Sequence, residues 1–272
     1  MPKLAVIGFP VSHSRSPAMQ SAALEALGLG GEWSYAAVKL EPERFEEVVR
    51  EMVAREYVGA NVTVPHKETA LAVADGASEA ARAIGAANTL SFRDGRIEAD
   101  NTDAGGLLGA LPGGARSGRV LVLGAGGAAR AAIWALAHPE AVPGTKAEPR
   151  EVHVWNRTAT RAEAVGALLG ARAVESPVQA NYELIVNTTA VGLRGEDPFD
   201  HLPLAVDGFV SEQTVVDMVY GERPSALLAA AEAAGATVVD GLEVLVQQGA
   251  LSLEIWTGRK PDLDVMRAAA RG

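Results

Sequence analysis

The sequence predicts an α/β fold of two domains, followed by C-terminal helices. Short apolar strands alternate with segments of helical periodicity along most of the 272 residues, which is typical of βαβ units. A Pro- and Gly-rich stretch at 112–118 interrupts this alternation and indicates a surface connection that opens a second unit. We predict a first domain at 1–103, a second at 104–241 and helices over 242–272.

The first domain begins with an apolar strand and continues with alternating helices and strands. Ser16 is the predicted N-cap of the first helix. The apolar residues of the second helix recur at helical spacing, and Arg93-Asp94-Gly95 is a turn between two short strands. The predicted strands are 4–9, 33–40, 59–64, 88–92 and 96–99, and the predicted helices are 17–27 and 42–55.

The second domain repeats the strand–helix pattern around an inserted loop at 138–150, which is rich in Pro, Gly and Glu. After Leu242 the sequence is helical to its end, with breaks near Gly258 and Pro261. The predicted strands are 119–123, 152–155, 184–186, 215–218 and 237–239, and a helix is predicted at 129–137.

Composition excludes several classes of function. The net charge of −10, without a basic run, argues against binding to nucleic acid or an anionic membrane. No apolar run reaches transmembrane length and no signal peptide is recognisable, so we expect a soluble cytoplasmic protein. The chain has no cysteine, and its five histidines lack HxH or HxxxH spacing. We therefore expect neither disulfides nor a metal site.

A glycine-rich turn predicts a nucleotide site in the second domain. The apolar strand 119–123 runs into Gly124-Ala125-Gly126-Gly127-Ala128, and a helix follows. Glycines permit a tight turn and close approach of the backbone, and the free N–H groups of a helix N-terminus bind a pyrophosphate. Ala128 and Ala129 occupy the region where a third glycine is usual. The alternative is a tight strand–helix turn without a ligand.

The next strand favours NADP over NAD. NAD-binding domains usually end this strand with an acid that binds the ribose 2′-hydroxyl. Here strand 152–155 ends in Asn156-Arg157-Thr158, with Arg161 one helical turn later. Two guanidinium groups can bind a 2′-phosphate, and Thr158 can both cap the helix and donate a hydrogen bond. The alternative is an arginine pair that solvates a helix start.

Polar clusters at strand ends of the first domain predict a small-molecule site. Only 5 of the 24 basic residues are lysines, yet Lys67 follows the strand 59–64, and lysine can give up its proton where arginine cannot. Each cluster alone has a structural explanation, such as helix capping by Ser16 or Asp103. Together they indicate a site for a polyhydroxylated acid. The clusters are 12–16, Thr63 with Lys67, Asn88, and 100–103.

The segments described so far are joined by 187–189, 217–220, Gly241 and Gln248. In these segments and in their order, the chain is similar to the shikimate dehydrogenases. The departures are His66, where an aromatic residue is common, and the expanded loop at 138–150. The resemblance covers nearly the whole chain and comprises residues 8–17, 61–67, 85–89, 100–103, 124–128, 156–161, 187–189 and 217–220, with Gly241 and Gln248.

The resemblance implies reversible NADPH-dependent reduction of 3-dehydroshikimate to shikimate, in aromatic amino acid biosynthesis. Lys67 and Asp103 are then the catalytic pair at the C3 oxygen. Ser14, Ser16 and Tyr220 hold the substrate carboxylate, and the ring hydroxyls are bound by Thr63, Asn88, Asp103 and Gln248. The C-terminal helices must return to the first domain for Gln248 to reach the substrate.

The resemblance also implies contacts with NADP(H). Val219 and Gly241 approach the nicotinamide through backbone atoms, and Glu79 faces the cofactor from the first domain. The family contains monomers and dimers, so both states are open. Two other functions also remain open at this point. One is a quinate/shikimate dehydrogenase that uses NAD or both cofactors, and the other is a non-catalytic NADP-binding regulator.

Overall fold

A computed structural model describes residues 1–113, 118–145, 147–221 and 223–272. The chain divides into two compact units. Unit 1 comprises Met1–Gly106 and Leu245–Gly272, and unit 2 comprises Leu107–Val244. The loop expected at 112–118 lies partly outside the described residues. No helix in the described ranges is long and apolar enough to cross a membrane.

The strands and helices alternate through both units. The strands are β1 (Lys3–Gly8), β2 (Ser34–Lys39), β3 (Tyr57–Val62), β4 (Gly76–Ala77), β5 (Thr89–Arg93), β6 (Arg96–Asp100), β7 (Arg119–Leu123), β8 (Glu151–Trp155), β9 (Arg172–Ala173), β10 (Leu184–Asn187), β11 (Thr214–Asp217) and β12 (Thr237–Asp240). The helices are α1 (Ser16–Ala26), α2 (Phe45–Ala54), α3 (Lys67–Ala72), α4 (Glu79–Ile84), α5 (Asp103–Ala110), α6 (Gly127–Ala137), α7 (Ala159–Leu169), α8 (Pro198–His201), α9 (Ala226–Ala233), α10 (Gly241–Thr257) and α11 (Leu263–Arg271).

The sheet of unit 1 is mixed, in the order β2-β1-β3-β5-β6-β4. β1 pairs parallel with β2 and β3, whereas β5 runs antiparallel to β3 and β6. The two short strands predicted on either side of Arg93-Asp94-Gly95 thus bring antiparallel pairing into this sheet. Asp94 and Gly95 have φ of 51° and 76°, which is the geometry of a two-residue hairpin turn that reverses the chain.

The register of this sheet gathers polar residues at one edge. Ile7 of β1 lies beside Val62 of β3, and Thr89 of β5 lies between Asn61 and Asp100. The carboxyl ends of β1, β3 and β6 therefore meet the amino end of β5. The residues that follow or precede these ends are the ones that the sequence marked as polar clusters.

Apolar faces cover the sheet of unit 1 and hold its helices in place. Phe45, Val49 and Met52 of α2 are buried against strand residues such as Ile7 and Leu90. The C-terminal helices return to this unit, as predicted. Gly249 of α10 packs so closely on α1 that a Cβ there would lie 2.5 Å from the Met19 side chain.

The sheet of unit 2 is parallel, in the order β12-β11-β10-β7-β8-β9. The order reverses between β7 and β10, and ligands of such sheets bind at the carboxyl ends of the strands beside this point. Leu123, Trp155, Asn187, Asp217 and Asp240 lie in register across these ends. This Rossmann-like arrangement confirms the predicted fold class.

Several local predictions need correction. α1 begins at Ser16 itself, with Arg15 in the N-cap position and no side-chain cap; instead Ser14 Oγ accepts a hydrogen bond from the Ser16 N–H at 3.3 Å. The segment predicted as one helix at 42–55 opens with a 3-10 turn, Pro42–Arg44, before α2. The other strand and helix ends differ from the predicted ones by one or two residues at most.

Candidate functional site

Lys67 and Asp103 form an ion pair at the polar edge of unit 1. Lys67 Nζ lies 2.6 Å from Asp103 Oδ2, and the side chains are only 13% and 11% exposed. Each residue begins a helix: Lys67 is the first residue of α3, and Asp103 is the first residue of α5. A helix N-terminus favours an anion and disfavours a cation. The negative charge of Asp103 is therefore favourable at its position, whereas the positive charge of Lys67 is unfavourable there and is balanced by Asp103.

Asn88 connects this pair to Gln248 of α10. Its Nδ2 donates to Asp103 Oδ1 at 2.9 Å and to Gln248 Oε1 at 3.1 Å. Both oxygens of Asp103 are thus engaged, one by Lys67 and one by Asn88. The structure brings together four predicted site residues, Lys67, Asn88, Asp103 and Gln248, although Gln248 is 160 residues from Asn88 in the chain.

Ser14, Ser16 and Thr63 lie on the loops after β1 and β3. Thr63 is half-buried, and a Cβ placed on Gly8 would collide with its methyl group, so these loops approach each other closely. Ser16 is buried and Ser14 half-buried. Among the described residues, no hydrogen bond joins these three side chains to Lys67 or Asp103.

The glycine turn of unit 2 has the geometry of a phosphate site. Gly124 has φ of +120°, and a Cβ there would lie 2.5 Å from Thr188 Oγ1, so the position requires glycine. Gly126 precedes α6, and a Cβ there would point into open space. The first turn of α6 carries no acid and has no side-chain cap. Its N–H groups are available to an anion, which fits the pyrophosphate of a dinucleotide.

The turn after β8 presents cations at the position that the sequence predicts for a 2′-phosphate. Arg157 and Arg161 are exposed and form no ion pair with a described residue. Asn156 Nδ2 donates to the Thr158 carbonyl at 3.0 Å and so closes the turn. Thr158 occupies the N-cap position of α7, but its side chain does not cap the helix as we expected. Its hydroxyl therefore remains available for another partner.

Asp217 organises the end of β11. Its buried carboxylate accepts hydrogen bonds from Asn187 Nδ2 at 2.9 Å, Ser225 Oγ at 2.6 Å and the Val219 N–H at 3.0 Å. Burial raises the pKa of this carboxyl, and the three hydrogen bonds act in the opposite direction. The result is a fixed backbone at Val219, the residue expected beside the nicotinamide.

Gly241 and Tyr220 also belong to this end of unit 2. A Cβ on Gly241 would lie 2.5 Å from the Met218 carbonyl oxygen, so only glycine permits this approach of α10 to the segment after β11. Tyr220 is half-buried in the same segment. Glu79, by contrast, is an exposed residue at the start of α4 in unit 1.

Sequence reasoning assigned no role to a further set of buried polar residues near Asn88. The available signal was the presence of polar side chains within apolar strands, as at Asn61 of β3. The others act through partners that are distant in the chain, which a local pattern does not reveal. The set comprises Tyr35, Asn61, Thr89, Thr102 and Ser252.

Comparison with known proteins places this arrangement in a family. The shikimate dehydrogenase substrate binding domain matches residues 6–90, and the shikimate 5'-dehydrogenase C-terminal domain matches residues 241–271. A shikimate dehydrogenase (NADP(+)) of Brucella abortus (strain S19) is 41% identical over 271 residues, which span 96% of this chain and 90% of the relative. The chain belongs to the shikimate dehydrogenase family.

Solved structures of shikimate dehydrogenases share the whole fold. The Thermus thermophilus enzyme, in complex with NADP(H) and shikimate, is 44% identical with a TM-score of 0.86, covering 100% of this chain and 99% of its own. The Aquifex aeolicus enzyme is 36% identical with a TM-score of 0.90, covering 100% and 98%. The similarity thus extends through both units.

Proposed function

We propose that this protein is an NADP-dependent shikimate dehydrogenase, which reversibly reduces 3-dehydroshikimate to shikimate in aromatic amino acid biosynthesis. The observation that carries the proposal is the Lys67–Asp103 ion pair at 2.6 Å, linked through Asn88 to Gln248. A largely buried ammonium beside hydrogen-bonding amides suits a polyhydroxylated ketone, and membership of the family supplies the substrate.

NADP(H) is the cofactor in this proposal. The turn Gly124, Ala125, Gly126, Gly127 and Ala128 holds the pyrophosphate, and the 2′-phosphate lies with Asn156, Arg157, Thr158 and Arg161. Val219, Gly241 and Glu79 complete the cofactor contacts. When bound, the reduced nicotinamide supplies a hydride to the carbonyl carbon of the substrate.

Lys67 acts on the oxygen of that carbonyl. Reduction of a ketone develops negative charge on this oxygen, and a nearby cation or proton donor lowers the barrier. Asp103 holds the ammonium in place through its Oδ2. Lys67 can serve by donating its proton or by its charge alone. Lys67→Arg distinguishes these two roles, because arginine keeps the charge but does not give up a proton.

The remaining polar groups orient the substrate. Thr63, Asn88, Asp103 and Gln248 bind its ring hydroxyls, and neutral donors from Ser14, Ser16 and Tyr220 bind its carboxylate. A site that hydrogen-bonds a hydroxyl rejects analogues that lack it, because its own buried groups are then left unpaired. We further propose that the enzyme works in the cytoplasm and that it is a monomer or a homodimer. Light scattering on the purified protein measures its oligomeric state.

Initial rates of nicotinamide reduction test this function. Purified protein is mixed with NADP⁺ or NAD⁺, and with shikimate or quinate, and absorbance at the reduced nicotinamide band is followed. We expect rapid turnover with NADP⁺ and shikimate. Comparable turnover with NAD⁺ or quinate would indicate a quinate/shikimate dehydrogenase. Binding of NADPH without turnover of either substrate would indicate a regulator and contradict the proposal.

A further inference from the structure

A closed group of polar side chains lies buried next to Asn88. We call Asn61, Thr89, Thr102 and Ser252 the inner polar cluster; their exposures are 5%, 0%, 4% and 0%. They come from β3, from β5, from the segment after β6 and from α10. Apolar side chains could fill this volume without the cost of burying polar groups. The hydrogen bonds of the cluster therefore call for a role beyond burial.

Ser252 is the centre of the inner polar cluster. Its Oγ lies 2.8 Å from Asn61 Nδ2, 2.9 Å from Thr89 Oγ1 and 3.0 Å from Thr102 Oγ1. It also lies 3.0 Å from the carbonyl oxygen of Gln248, one turn earlier on α10. One hydroxyl thus ties three elements of the sheet edge to the helix that carries Gln248.

The orientation of the Asn61 amide follows from its donors and acceptors. Tyr35 donates its hydroxyl to Asn61 Oδ1 at 2.7 Å. Asn61 Nδ2 must then point to the other side, where it donates to Ser252 Oγ. Ser252 accepts this bond and has a single proton to donate. The direction of the Asn61–Ser252 hydrogen bond is therefore fixed, and Ser252 can donate its own proton to only one of its other contacts.

The cluster determines the orientation of the Asn88 amide in the same way. Asn88 Oδ1 accepts from the Thr102 N–H at 2.7 Å and from Thr89 Oγ1 at 3.0 Å. A flipped amide would place its NH2 group against the Thr102 N–H, donor against donor. Asn88 Nδ2 must therefore face Asp103 Oδ1 and Gln248 Oε1.

We propose that Ser252 is a positioning residue, which acts through the inner polar cluster to hold the Asn88 amide and the Asp103 carboxylate in place beside Lys67. The inference rests on the function proposed above and adds to it residues that are at most 5% exposed. Docking of α10 has other means: Gln20 Nε2 donates to the Gly249 carbonyl at 3.0 Å, and Trp256 Nε1 donates to that of Leu90 at 3.0 Å. Ser252 is therefore not needed merely to attach the helix.

Kinetics of matched variants test the proposal on the full-length protein. Ser252→Ala removes the central hydroxyl, and Tyr35→Phe removes the bond that orients Asn61. Gln20→Leu is the control, because it removes a buried hydrogen bond to α10 without contact with the cluster. Each variant is assayed for kcat, for KM of shikimate and NADP⁺, and for Tm.

We expect Ser252→Ala to lower kcat about tenfold or more and Tyr35→Phe about threefold, with the KM for NADP⁺ unchanged, since both act on groups that stabilise the transition state. Gln20→Leu should lower Tm but keep kcat within about twofold of the wild type. If the wild type is active, two outcomes would overturn the positioning role alone. One is an unchanged kcat in Ser252→Ala, and the other is an equal loss of kcat in Gln20→Leu. If Ser252→Ala does not fold, an unchanged kcat in Tyr35→Phe overturns it. An inactive wild type would overturn the proposed function as well.

Discussion

At the residue scale, Lys67 lies where its charge opposes the local fold. Lys67 opens α3, where the helix dipole opposes a cation, and it is balanced by Asp103, only 2.6 Å away. A largely buried ion pair loses much of its Coulombic gain to desolvation. Stability therefore gives little reason for this pair, which supports the catalytic role proposed for Lys67.

His66 shows how one side chain can serve the fold in place of an aromatic residue. It is 1% exposed, its ring stacks on Phe45 at 4.7 Å, and its Nε2 lies 2.8 Å from the Leu40 carbonyl oxygen. The neutral imidazole can donate that bond. Burial lowers the pKa of His66 below its ordinary value of 6.5, although the bond to Leu40 opposes the shift.

This lowered pKa predicts a loss of stability in acid. Between the folded and unfolded pKa values the unfolded chain binds more protons, so stability rises with pH. The contribution of His66 is complete above 6.5 and is lost as pH falls through the folded pKa. We expect Tm to drop less between about pH 7.5 and pH 5 in His66→Phe than in the wild type. Equal drops, measured by circular dichroism in matched buffers, would contradict this assignment.

At the scale of elements, two glycines of the turn between β7 and α6 have different roles. Gly124 is required for the backbone conformation, and Gly126 is expected to serve binding. Gly124→Ala meets both a positive φ of +120° and Thr188 Oγ1 at 2.5 Å, so it should destabilise unit 2. At Gly126 a methyl group meets open space, and we expect a stability loss below about 1 kcal/mol.

The same methyl group should nevertheless obstruct the cofactor. We predict that Gly126→Ala raises the Kd for NADPH about tenfold or more, since the backbone can no longer approach the pyrophosphate closely. Fluorescence titration with NADPH and thermal melts measure the two effects. Gly31→Ala, which also meets open space but lies in unit 1, is the control. Unimpaired binding in Gly126→Ala would place the pyrophosphate elsewhere.

Local patterns determine much of the fold, but not the elements that depend on distant partners. The glycine turn, the arginine pair and the apolar stripe of α2 are contiguous in sequence, and all were predicted. The two-residue strands β4 and β9 carry too few residues for a periodic signal. The cap expected at Ser16 is wrong because α1 begins at Ser16 itself and Arg15 holds the N-cap position.

The candidate site follows the same division. Lys67, Asn88 and Asp103 could be selected from the sequence because each borders a strand end. The inner polar cluster could not, since Ser252 meets Asn61 across 191 residues of chain. Sequence spacing alone contains no information on that contact; the return of α10 to unit 1 creates it.

At the scale of the whole molecule, the negative net charge means that binding of an anionic cofactor depends on local cations such as the arginine pair. A protein of net charge −10 repels an anionic cofactor on average. Binding must therefore come from local cations and from N–H groups such as those of α6. Arg157 and Arg161 are exposed on unit 2 and form no ion pair among the described residues, so their charge is available to a phosphate.

Replacement of both arginines should change cofactor preference rather than turnover. We expect Arg157→Ala with Arg161→Ala to raise the KM for NADP⁺ about a hundredfold, while that for NAD⁺ changes little, because only NADP⁺ carries the 2′-phosphate. Steady-state kinetics at saturating shikimate provide the ratio. Arg172→Ala, on the edge strand β9, is the control. Equal losses with both cofactors would contradict recognition of the 2′-phosphate by this pair.

The most direct test of the account is the kinetics of Lys67→Ala, with shikimate affinity measured separately by calorimetry. We predict a fall in kcat of about a hundredfold or more, as for loss of an acid–base group, with much less change in shikimate affinity. Lys67→Arg distinguishes the role of the proton from that of the charge, since arginine keeps only the charge. A raised KM with unchanged kcat in Lys67→Ala would contradict the catalytic role and leave Lys67 as a binding residue.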